Sequence, residues 1–149
     1  MSEMLGNHYF LVRNYGAAIK AYEKAFPDSL PKETIKKLII CHLANDNFET
    51  AKLLFLKLLS DDPKTIIRTD IKNEDCPCPE LIGDYESKIT KNSTVFDFIR
   101  LAILWFYCDA KISLNYFQRA KEITPENNFV DETIKKIKSI INQTNQEVN

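Results

Sequence analysis

The chain is 149 residues long, with 44% hydrophobic and 28% charged residues. That is enough to bury a core in one domain or one short repeat array, and the composition is far from that of a disordered chain. Its 20 basic and 21 acidic residues leave a formal charge of -1, so nothing electrostatic points to nucleic acid or an anionic membrane. The opening "MSEMLGNHYFLVRN" has no basic segment followed by an apolar core, so a secretory leader is not expected. The densest apolar run, from Phe98 to Cys108, is too short to cross a bilayer. Four cysteines without a leader suggest a reducing, cytoplasmic setting and free thiols.

In chain order, apolar spacing predicts helices over 3–13, 16–27, 32–45 and 48–61, then over 94–108 and 111–123, with a last one at 128–142. Three of the segments align with one another: "NYGAAIKAYEKAF" from Asn14, "NFETAKLLFLKLL" from Asn47 and "DAKISLNYFQRAK" from Asp109. Each carries a small residue (Ala18, Ala51, Ser113) followed four positions later by an aromatic one (Tyr22, Phe55, Phe117). Leu58 and Ala120 then lead to Pro63 and Pro125 in the second and third. The small residues are 33 positions apart between the first two segments and 62 between the second and third. Residues 64–92 are therefore an insertion. Within it, Pro77 and Pro79 stiffen the chain, and Pro79 and Glu80 mark the start of a short helix through "ELIGDYESKIT". The tail from Thr144 is expected to fray.

The pattern resembles the tetratricopeptide repeat: Leu5, Gly6 and Tyr9 match the family's opening as they stand, and the small–aromatic pairs and prolines match its second half. The tryptophan of the outline is absent from the first repeat, His42 stands in the tyrosine place of the second, and Arg100 and Leu101 occupy the Leu-Gly place of the third. The resemblance implies an all-α fold, a right-handed superhelix of antiparallel helix pairs. It divides the single domain into repeats at about 1–30, 31–63 and 93–126, the insert, and a capping helix at 127–143.

In such repeats the first helix of each pair lines a concave groove that takes peptides. By position the groove would comprise Asn7, Phe10 and Leu11, then Lys36, Ile40 and Leu43, then Phe98 and Trp105. This face is mostly apolar. The acidic-tail clamp known in the family is not matched: Glu3 stands where a lysine is expected, and Lys37, Val95 and Ile99 replace other clamp residues. The implied partner is an amphipathic helix, an apolar peptide or a second copy of the chain. The insert offers an internal cover instead, through Leu81, Ile82, Tyr85 and Ile89.

Catalysis has no footing in the sequence: no Gly-rich phosphate loop, H-E-x-x-H or G-x-S-x-G occurs, and no cofactor is implied. The alternative function is a metal- or thiol-dependent module at Cys76 and Cys78. Their C-x-C spacing lacks the second pair that a zinc site draws on, and the remaining candidates are Cys41, His42 and Cys108. Cys41 reads as a small buried hydrophobe and His42 as a satisfied core histidine.

Overall fold

The computed structural model describes residues 2–67 and 80–148, and the regular structure among them is entirely helical. The helices are α1 (Ser2–Leu11), α2 (Tyr15–Ala25), α3 (Lys32–Ala44), α4 (Phe48–Asp61), α5 (Glu80–Ser87), α6 (Val95–Phe106), α7 (Ala110–Ile123) and α8 (Asn128–Val148), with a short 3₁₀ turn at Pro63–Thr65. The chain divides into two compact units, Met1–Asp61 and Asp62–Asn149. The boundary lies just ahead of the expected insertion.

In the N-terminal unit each helix packs on the next. The expected small–aromatic pairs form its interior: Ala18, Tyr22, Ala51 and Phe55 are fully buried. Gly6 has a packing reason, since a Cβ there would stand 2.6 Å from the Tyr22 ring. Tyr22 in turn donates its hydroxyl to Asn7 Oδ1 at 2.6 Å, and Lys37 Nζ donates to the same oxygen at 3.1 Å. One amide oxygen thus joins α1, α2 and α3.

The two turns of this unit share one construction. Arg13 and Asp46, 33 positions apart, are left-handed at φ 62° and 60°. After α1, Asn14 N donates to Tyr9 O at 2.8 Å and Arg13 N to Phe10 O at 3.1 Å. After α3, Asn47 N donates to His42 O at 2.8 Å and Asp46 N to Leu43 O at 3.3 Å. Both are the paired closing bonds of a Schellman motif, which satisfies the last carbonyls of a helix and reverses the chain in few residues. Asn14 then caps α2 by accepting from Ala17 N at 3.3 Å.

The C-terminal unit also packs in sequence, α5 on α6, α6 on α7 and α7 on α8. α6 is deeply buried, with Ile99, Leu101, Ala102, Ile103, Leu104 and Phe106 fully enclosed. It starts at a capping box, where Thr94 N donates to Asp97 Oδ2 at 2.8 Å. α7 starts at Asp109, whose Oδ1 accepts from Lys111 N at 2.9 Å and Ile112 N at 3.3 Å. At the third small-residue position, Ser113 Oγ donates to Ala102 O at 2.6 Å across the α6–α7 interface. Val130, Ile134 and Ile137 form the buried stripe of α8.

Two expectations are corrected here. The last helix does not end near residue 142: α8 continues to Val148. Its tail is polar but contains no proline or glycine, so a helix already nucleated by its buried first half can propagate through it. The cysteines are not all free thiols either. Cys41 is free and buried, but Cys108 is disulfide-bonded. Cys108 follows α6 at a half-buried position in the α6–α7 turn, where a thiol is not enclosed by packing as Cys41 is.

Candidate interaction face

A cluster of polar and aromatic side chains converges where α5 lies on α6, beside α7. Ile82 is the buried side chain of α5 and sets its inward face. Tyr85 and Glu86, three and four positions on, fall on the same side of the helix. Glu86 Oε2 accepts from Trp105 Nε1 at 3.2 Å and from the Tyr116 hydroxyl at 2.5 Å. The Arg100 guanidinium lies 4.0 Å from the Tyr85 ring centre and donates from Nη2 to Asp97 Oδ1 at 3.4 Å.

On the α6–α7 side, Phe98 and Tyr116 have ring centres 6.5 Å apart. The Arg119 guanidinium sits 4.6 Å from the first ring and 5.5 Å from the second. A carboxylate taking two donors, with one cation over Tyr85 and another over Phe98 and Tyr116, fixes orientation as well as adding apolar area. The Tyr116 phenol is pushed up to about 12 by burial first, and then by the hydrogen bond and negative charge of Glu86, with Arg119 acting in the opposite direction. Its proton is thus held where Glu86 needs a donor.

Of the groove residues expected from the sequence, Phe98 and Trp105 belong to this assembly. Phe98 is buried against it and Trp105 is half-buried with its indole N–H on Glu86. Phe10, Lys36, Ile40 and Leu43 are buried within the N-terminal unit. Asn7 is half-buried and engaged with Tyr22 and Lys37, and Leu11 is 53% exposed. Met4, Leu5 and Leu11 of α1, and Val12 just after it, are likewise exposed apolar side chains. Of the insert residues expected to act as cover, Ile82 is buried, and Leu81, Tyr85 and Ile89 are half-buried.

Sequence reasoning missed Glu86, Tyr116, Arg100 and Arg119. The available signal was the spacing of Ile82, Tyr85 and Glu86 on one face of a short helix, which marks Glu86 as turned inward rather than toward solvent.

The other candidates are quieter. Burial raises the Cys41 thiol to about 12, so it is inert at neutral pH. His42 is buried, its Nδ1 lies 3.2 Å from Asn47 Nδ2, and burial lowers its pKa, with Glu23 opposing. No group of three or more His, Cys, Asp or Glu side chains is placed to hold a metal among the described residues. Cys76 and Cys78 lie outside the described residues. A cleft of about 320 Å³ opens beside Cys108, Asp109, Lys111, Ile141 and Thr144. Asp109 already takes the helix N–H groups of Lys111 and Ile112 that could have held an anion there. Among the described residues, no helix is long and apolar enough to cross a membrane.

Compared with protein-family models, curated proteins and solved structures, the chain finds no match.

Proposed function

We propose that this chain is a non-enzymatic interaction scaffold: three tetratricopeptide-like helix pairs in a right-handed superhelix, closed by α8, binding an amphipathic helix, an apolar peptide or a second copy of itself. Support for the repeat reading comes from the left-handed residues Arg13 and Asp46 at the repeat spacing and from the burial of all three small–aromatic pairs. The observation that carries the functional reading is α5 itself. An amphipathic helix already lies against α6 and reaches Trp105 and Tyr116, which is how a helix-binding surface is filled. The exposed Met4, Leu5, Leu11 and Val12 offer a second apolar surface to another copy.

The test is selection of displayed helical peptides on the intact protein, repeated on Trp105→Ala, with sedimentation to follow self-association. The scaffold reading expects enriched peptides or a dimer, with at least part of the binding lost in Trp105→Ala at unchanged helicity. A monomer that enriches nothing would remove it.

A further inference from the structure

We propose that α5 is a displaceable internal ligand, and that the face it covers is built for a short partner helix with an aliphatic residue followed three and four positions later by an aromatic residue and a glutamate. This rests on the scaffold reading and names the chemistry of its partner.

Three features make α5 a weak occupant. It has eight residues, shorter than a helix that holds itself together in water. Ile82 is its only buried side chain. Gly83 sits in its interior, exposed, and a Cβ there would meet nothing within 4 Å. A glycine interior to a helix weakens it relative to alanine, and here no neighbour requires the missing side chain. Gly6 is the contrast, because the Tyr22 ring occupies the space its Cβ would need.

The face beneath α5 carries recognition that a plain packing surface does not need. Trp105 Nε1 and the Tyr116 hydroxyl converge on one oxygen, Glu86 Oε2, from two different helices. Arg100 stacks on Tyr85, and Arg119 stacks on Phe98 and Tyr116. Burying an indole N–H and a phenol against apolar groups costs stability unless an acceptor is supplied. The face therefore selects a helix that brings a carboxylate, and rejects one that brings only apolar groups. α5 supplies that acceptor from within the chain. A partner helix with the same three residues and no interior glycine would compete on better terms.

The experiment uses a fluorescein-labelled peptide of residues 80–91 and the full-length chain, read by anisotropy, with circular dichroism to check folding. Glu86→Gln in the chain weakens its own α5, and the peptide should bind this variant about tenfold more tightly than wild type. Ile82→Ala in the chain should act in the same direction and serves if Glu86→Gln folds poorly. Gly83→Ala in the chain strengthens α5 and should weaken peptide binding about two- to fivefold. A peptide carrying Glu86→Gln should bind none of them measurably. Equal affinity across the folded variants, or no binding to either weakened chain, overturns the proposal. Dimerisation of Glu86→Gln in place of peptide binding would assign the face to a second copy and overturn the partner helix. If the display selection enriches peptides while the α5 peptide binds no variant, the scaffold reading survives and this inference alone fails.

Discussion

The first two helix pairs turn in the same way, and the third does not. After α1 and α3 the chain reverses through a left-handed residue, Arg13 or Asp46, with the same two closing hydrogen bonds. The corresponding place in the third pair is Cys108, which is not among the left-handed residues and is disulfide-bonded. There the turn closes with Cys108 N and Asp109 N both donating to Trp105 O, at 2.9 and 2.7 Å. The region around that turn also holds the aromatic and charged face and the extra helix α5. Regular turns accompany side chains committed to packing, and the irregular pair carries the paired aromatic and charged side chains.

The largest test of this contrast is Gly6→Ala. Its Cβ would meet the Tyr22 ring at 2.6 Å, so overpacking should cost about 1–3 kcal/mol. Gly83→Ala, in the open on α5, should instead stabilise the chain by about 0.5–1 kcal/mol. Chemical denaturation of the two variants reads both signs. Two glycines that respond alike would erase the distinction between a regular, tightly packed pair and a weakly held cover.

A comparable effect is expected from Thr133→Val on α8. Thr133 is fully buried, and among the described residues its hydroxyl has no hydrogen-bond partner. Replacing it with an isosteric methyl should raise stability by about 1 kcal/mol, measured by the denaturation midpoint. A loss of similar size would mean that the hydroxyl is satisfied and that α8 is held by more than its apolar stripe.

The smallest effect is a pH slope from His42. Burial lowers its pKa below the ordinary 6.5, more than Glu23 raises it. The folded state therefore favours the neutral imidazole. The stability this gives is full above pH 6.5 and is lost as pH falls toward the lowered folded value. Thermal melts should drop by about 2 °C between pH 7 and pH 5.5 beyond any drop in His42→Gln. Identical pH profiles would show that His42 carries no such linkage.

The helices were legible in the sequence because period and small–aromatic spacing are properties of each segment alone. Ala18, Ala51 and Ser113 could be found by alignment, and all are buried. The turns were less legible: Arg13 and Asp46 occupy left-handed positions where glycine is the usual marker, and a non-glycine residue there is held by the closing bonds around it. The full length of α8 was hidden because "NQTNQEV" has no apolar period to announce a helix. Glu86 was hidden for a different reason. Its role depends on Trp105 and Tyr116 meeting one oxygen, across 19 and 30 positions of chain. The disulfide at Cys108 likewise depends on which thiols the fold brings close, which spacing alone does not reveal.

Trp105 is the only tryptophan in the chain, so its indole N–H gives a single, self-assigned resonance in a nitrogen-edited spectrum. That resonance is the most direct test of whether the α6–α7 face works by engaging a helix-borne carboxylate. The account predicts a shifted, exchange-protected signal in the wild type, lost in Glu86→Gln and restored when the unmodified peptide of residues 80–91 is added. An indole signal that is the same in both proteins and unmoved by the peptide would contradict it.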